Sequence, residues 1–231
     1  KPNGSARIIL NLSAPVGRSV NDGICSDEFP TSMSSTAKWI EVLHTAGRGC
    51  LFMKADWSVA YKHLHVRPAD TVLQWFSWLD RFFVELNLVF GARSSAGLFD
   101  RMAKVILDLA TRLAHFRPDM ICQYLDDVCA ASPAGSPDIF RFEQAYRDVA
   151  AEVGVRLAPT SDPDKAFSPT TDGVVLGVKY DSVAWTWCLP PDKLNRVLLQ
   201  LHTAVDAESI VQVEMASIAG RILHYAALVP L

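Results

Sequence analysis

The chain has 231 residues, half of them hydrophobic, and a formal net charge of -3. A sequence of that length and apolar content can bury a sizeable core in one or two domains, so a folded globular protein is expected. No apolar run approaches the roughly 18 to 20 uncharged residues that span a bilayer, and nothing like a signal segment follows Lys1. The expectation is a soluble, intracellular piece of a longer protein. The five cysteines, Cys25, Cys50, Cys122, Cys129 and Cys188, are odd in number and include no C-x-x-C pair. That argues against a disulfide framework and against a zinc site, and predicts reduced thiols. The weak net acidity gives no global support for nucleic-acid binding. Residues 1–21 nonetheless carry Lys1, Arg7 and Arg18 with no acid before Asp22, a local bias that a solvated surface would also explain.

In chain order, Asn3-Gly4 reads as a turn leading into a short apolar strand from Arg7 to Leu12. Residues 13–33, rich in Gly, Pro, Ser and Asn, read as a loop. Ser34 to Thr45 has the spacing of a serine-capped helix through Trp39, Val42 and Leu43. Leu51 to Asp56 is an apolar strand ending on a carboxylate. Leu98, Met102, Val105, Ile106, Leu109 and Leu113 recur at helical spacing and predict a helix over 97–116 with these residues facing the core. Met120 to Tyr124 and Val128 to Ala131 flank Leu125-Asp126-Asp127 as a hairpin, and a helix follows over 138–153 with Asp138 as its cap. Val174 to Val178 and Val183 to Leu189 predict a second hairpin turning at Asp181-Ser182, closed by Pro190-Pro191. Residues 192–231 read as two helices with a break near 207–209. Strands and helices interleave without a regular βαβ alternation, so the class is α+β.

Asp126 and Asp127 stand side by side in an apolar stretch, and Asp56 ends another apolar strand 70 positions earlier. Adjacent acids repel, and a half-buried ionised carboxylate is costly without a positive partner. Hard oxygen donors of this kind suit Mg2+ or Mn2+ rather than zinc, and a pair of such ions is the usual device for in-line phosphoryl displacement. The bland alternative is a polar hairpin turn at Asp126-Asp127 and a local cap at Asp56.

The neighbouring residues sharpen the choice. Tyr124-Leu125-Asp126-Asp127, set between two apolar strands, resembles the Y-x-D-D box of reverse transcriptases. Lys54-Ala55-Asp56 through Tyr61 resembles the first catalytic motif of that family, where an aromatic follows the Asp by five residues, and Phe90-Gly91 through Phe99 resembles its glycine-serine motif. Lys165 and a Leu176-Gly177 hairpin follow in the family's order. The wording of residues 60–66 and 19–24 is similar to the DIRS-type branch of retrotransposons.

The resemblance implies a right-hand polymerase with fingers at 1–31 and 64–94, palm at 32–63 and 95–191, and the start of a thumb at 192–231. It implies RNA-directed DNA synthesis with Mg2+ (or Mn2+ as substitute) held by Asp56, Asp126 and Asp127, on a primed RNA or DNA template with dNTPs. Lys1 and Arg7 would grip the triphosphate, where charge-assisted bonds are strong. Tyr61 would exclude a 2′-hydroxyl, Gly91 and Ser95 would approach the nucleotide, and Lys165 would protonate the leaving pyrophosphate. Tyr124, Leu176 and Gly177 would hold primer and template, and a ribonuclease H domain would belong to the full-length protein. Phe90 and Ala96 depart from the family's usual Gln and Pro, which puts template contact in doubt rather than metal chemistry. His63 and His65 lack ligand-spaced partners and read as structural; Trp185 and Trp187 would form, with Gly177, the hairpin that holds the primer's 3′ end, although tryptophans at alternate positions are more often core packing. Two alternatives stand beside this reading: an RNA-dependent RNA polymerase, disfavoured by Tyr61 and by the Tyr in the Asp-Asp box, and a catalytically silent palm kept as a nucleic-acid-binding or scaffold module.

Overall fold

The computed structural model describes residues 8–207 and 209–226. Its centre is a four-stranded antiparallel sheet in the order β4-β5-β1-β6, formed by β1 (Leu51–Asp56), β4 (Ile121–Tyr124), β5 (Asp127–Ser132) and β6 (Phe167–Thr170). α1 (Thr36–Ala46) and α3 (Asp138–Glu152) pack on it, and α2 (Arg93–Leu113) packs against α3. The shared core contains Trp39, Phe52, Trp57, Phe99, Ile106, Phe142 and Tyr146. β1 lies between β5 and β6 and is buried along nearly its whole length, which is why it reads as an apolar run rather than as an alternation.

Two smaller sheets flank the centre. β2 (Trp75–Trp78) and β3 (Arg81–Val84) make a hairpin, and β7 (Asp172–Val175), β8 (Val178–Asp181) and β9 (Thr186–Cys188) make a meander. All three sheets pair antiparallel, in keeping with an α+β arrangement. The chain ends with α4 (Pro191–Asp206) and α5 (Gln212–Ala226). No described helix is long and apolar enough to cross a membrane.

Several expectations need correction. The strand expected over 7–12 does not form across its described part: Leu12 N–H bonds back to the Leu10 carbonyl and Leu10 N–H reaches the Phe90 carbonyl, so residues 10–12 turn instead of running extended. The single hairpin expected between 174 and 189 is a three-stranded meander. Leu176 and Gly177 both have positive φ, 47° and 83°, the pattern of a type I′ turn, so the chain reverses there and again after Asp181. Asp138 does not cap α3; Pro137 holds the cap position, and Asp138 sits in the first turn paired with Arg141. α2 begins at Arg93, four residues ahead of expectation, because the buried Asn21 side chain accepts from Arg93 N–H at 3.0 Å and caps the helix from 72 residues away. The β2-β3 hairpin and β6 were not anticipated.

All five cysteines are free thiols; Cys25 and Cys188 are exposed, while Cys50, Cys122 and Cys129 are buried, the last two opposite each other on β4 and β5.

Candidate active site

The carboxylates meet where β1 and β5 end. Pairing of the two strands sets Asp56 directly opposite Asp127, and the two-residue connection from β4 carries Asp126 beside them. Leu125, first in that turn, has φ 50°, a left-handed conformation disfavoured for a branched side chain and held by the hairpin around it. Trp57 N–H bonds to the Asp126 carbonyl at 3.2 Å, fixing the turn against the end of β1. From below, the Trp57 indole donates to the Tyr146 hydroxyl at 2.7 Å inside the core.

Two ammonium groups enter this acidic cluster. Lys165 donates to Asp56 Oδ2 at 2.7 Å. Lys54, buried on β1, lies 3.4 Å from Asp127 Oδ1 and donates to the Asp164 carbonyl at 3.1 Å. The 3.4 Å approach is an ion pair rather than a well-formed hydrogen bond, and Asp127 Oδ1 is buried with no hydrogen-bond partner. Burial pushes the Asp127 carboxyl up to about 6, with the charges of Asp56 and Asp126 adding to it and Lys54 opposing. The hydrogen bond to Asp56 raises Lys165 above its ordinary value, and burial followed by the Asp126 charge raises the Tyr61 hydroxyl.

Asp56, Asp126, Asp127, Lys165 and Tyr61 are thus brought together. The Tyr61 ring rests on Phe90 and Phe99, with centroids 4.7 Å and 5.5 Å away, which joins it to the glycine-serine segment. A Cβ on Gly91, at φ 112°, would fall 2.1 Å from the Leu10 carbonyl oxygen; the close neighbour of this glycine is the chain's own backbone. The Ser95 hydroxyl is buried in the first turn of α2 without a partner. Tyr124 is exposed at the end of β4. Leu176 and Gly177 lie in the β7-β8 turn, beside the Lys193 ammonium of α4. His63 is occupied by the Ser58 carbonyl and the Trp57 ring. Lys1 and Arg7 lie outside the described residues.

Sequence reasoning passed over Lys54. Strand parity contains the signal: Lys54 and Asp56 are two apart and share a face of β1.

Among the described residues no three His, Cys, Asp or Glu side chains converge as a formed metal centre. The donor set nevertheless fits a hard divalent cation: three carboxylates at adjoining strand ends, one with a buried oxygen lacking a hydrogen bond, with lysines paired to Asp56 and Asp127.

No protein-family model matches the chain, and no curated protein matches it by sequence. Solved structures do match. The foamy viral protease-reverse transcriptase dRH in complex with double-stranded DNA superposes with a TM-score of 0.69 at 16% identity, over 97% of this chain and 34% of that one. The foamy viral protease-reverse transcriptase in complex with an RNA/DNA hybrid gives 0.60 at 17% identity, over 84% and 23%. The native prototype foamy virus protease-reverse transcriptase gives 0.55 at 17%, over 98% and 29%. The fold is therefore reverse transcriptase-like, and the chain spans about a third of the length of the first of these proteins.

Proposed function

We propose that this chain is the polymerase core of an RNA-directed DNA polymerase, extending a primer 3′ end with deoxynucleotides. The observation that supports this most is the meeting of Asp56, Asp126 and Asp127 at one end of the central sheet, within a reverse transcriptase-like fold. In this reading residues 1–31 and 64–94 are fingers, 32–63 and 95–191 palm, and 192–231 the start of a thumb. The similarity of residues 60–66 and 19–24 to retrotransposon enzymes of DIRS type supports that branch, in which case a ribonuclease H domain would belong to the full-length protein.

The reaction joins the primer 3′-oxygen to the α-phosphorus of a dNTP and breaks the α–β phosphoanhydride, releasing pyrophosphate. Mg2+, with Mn2+ as substitute, would be held by Asp56 and Asp126 with Asp127 more peripheral, and supplies charge stabilisation at the attacking and leaving oxygens when bound. The chain's own part is positioning and electrostatics. Lys165 stands beside Asp56 with an ammonium that can deliver a proton to pyrophosphate. Tyr61, braced on Phe90 and Phe99, presents a rigid ring that excludes a 2′-hydroxyl by volume. Gly91 would lie on the nucleotide side, Arg7 and Lys1 would meet the triphosphate, and Tyr124, Leu176 and Gly177 would hold primer and template, whereas the Ser95 hydroxyl, enclosed in the first turn of α2, is not on that surface.

The test is primer extension on poly(rA)/oligo(dT) with dTTP and Mg2+ or Mn2+, beside an Asp126→Asn/Asp127→Asn double variant. Extension by the parent that the double variant abolishes is expected; a preference for ribonucleotides would move the protein to RNA synthesis, and no extension with either ion would favour a silent binding module.

A further inference from the structure

β1 and the loop over 159–166 are clasped by two hydrogen bonds that run in opposite directions. Lys165 on the loop donates to Asp56 on β1, and Lys54 on β1 donates to the Asp164 carbonyl on the loop. The Lys54 ammonium also faces Asp127 Oδ1 on β5. One cation therefore touches the neighbour of Lys165 and the carboxylate opposite Asp56. Its side chain is only 8% exposed. A lysine is almost never so buried unless its charge is in use, and a methionine of similar length would fill the same space without desolvating an ammonium. Packing does not account for Lys54, but its contacts do. The loop's ends are tied to β1 by the Ala158 N–H to Asp56 carbonyl bond and by the pairing of Phe167 with Lys54, while the backbone bonds from Asp162, Lys165 and Ala166 are internal, so between those ends the two lysines are what clasp it to β1.

We propose that Lys54 is a positioning residue for nucleotidyl transfer. Its ammonium holds the Asp127 carboxylate and the Lys165-bearing loop in register with Asp56, so that the acid-donating side chain and the carboxylates keep one geometry. The inference rests on the polymerase reading. A structural ion pair that merely stabilises the sheet is the competing account, and the two differ in what an arginine at position 54 and a missing Lys165 should do. Arginine retains the charge and the donors; methionine retains only the volume.

The experiment compares Lys54→Met, Lys54→Arg, Lys165→Ala and the Lys54→Met/Lys165→Ala pair, each in the full chain. Primer extension gives kcat and the dNTP KM; amide hydrogen exchange over 162–166 is followed without metal or nucleic acid. Lys54→Met should lower kcat about 10–100-fold, the usual range for losing a group that orients a ligand. Its dNTP KM should stay within about threefold of the parent, because the loss falls on the chemical step. In the Lys165→Ala background the same substitution should cost little more, since both act through one loop. Exchange at the Lys165 and Ala166 amides should quicken, and Lys54→Arg should restore part of both effects. A Lys54→Met kcat within about twofold of the parent overturns the proposal, as do losses fully additive with Lys165→Ala. Equal losses in the Met and Arg variants with a lowered thermal midpoint point to the structural account and also overturn it. If the parent extends no primer, the polymerase reading falls on its own, and the exchange arm decides Lys54: quickening in the Met variant that Arg reverses keeps it as the loop's anchor, and no change removes it.

Discussion

Asp127 is a carboxyl in surroundings that favour its neutral form. Its ordinary value is 3.8 and burial carries it to about 6, so between those values the folded chain binds a proton that the unfolded chain has released. Stability from this group is therefore greatest at low pH, falls as pH rises from about 4 to about 6, and is level above that. A shift of about two units corresponds to roughly 3 kcal/mol that ionised Asp127 withholds from the metal-free protein at pH 7.5. Asp127→Asn, which is neutral at every pH, should raise the free energy of unfolding by up to about that amount at pH 7.5 and by almost nothing below pH 4. Urea unfolding in the presence of a chelator at the two pH values measures it; an equal gain at both would mean that the carboxyl is not held away from ionisation. The same residue illustrates what was readable at this scale. Adjacent acids in an apolar stretch stood out, as did the aromatic five positions after Asp56. Lys54 did not, because a single lysine in a buried strand acquires meaning only when the opposing strand and the 159–166 loop are in place.

Among the elements, β1, α1, α3 and the β4-β5 hairpin lie close to their expected ranges, whereas the apolar stripe that marked α2 as core-facing is mostly on its surface: Met102, Val105, Leu109 and Leu113 are exposed, and Phe99, Ala103, Ile106 and Ala110 are the residues it buries. The misses have a common cause in long-range contacts. The start of α2 is set by Asn21, whose side chain also donates to the Gly91 carbonyl at 2.8 Å and whose own carbonyl accepts from Arg93. β2 and β3 expose Trp75, Trp78 and Phe82, so both faces of the ribbon are apolar and no alternation marks them. The junction of residues 10–21 with the start of α2 also yields a sharp prediction. Gly91 has a φ that disfavours any side chain, and an added methyl would collide with the Leu10 carbonyl, a backbone atom that cannot swing aside. Gly91→Ala should lower stability by about 2 to 4 kcal/mol, the combined scale of left-handed strain and overpacking. Thermal or urea unfolding reads the loss; a cost under about 0.5 kcal/mol would mean that the contact with Leu10 yields easily.

For the whole molecule, the fold class was accessible from interleaved strands and helices and from the order of the motifs. Its three-sheet arrangement was not, since β6 pairs with β1 across more than a hundred residues and the meander's tight turn is made by Leu176-Gly177 rather than by the Asn-Gly or Gly-Gly that marks such turns. The five thiols give the assembled molecule an intrinsic clock. Burial raises Cys50 and Cys122 and lifts Cys129 well above its ordinary range, so the reactive thiolate is scarce in all three. All three sit in the core around the central sheet, and alkylation of any of them requires that core to open. Under native conditions an alkylating reagent followed by mass spectrometry should therefore label Cys25 and Cys188 in a fast phase and the other three in a slow one whose rate reports how often the core opens. Rapid labelling of all five would mean that the core around the carboxylates is open on the timescale of the reagent. A slow phase that lengthens when divalent ions are added would time, without any labelled substrate, how firmly the ions close the protein around them.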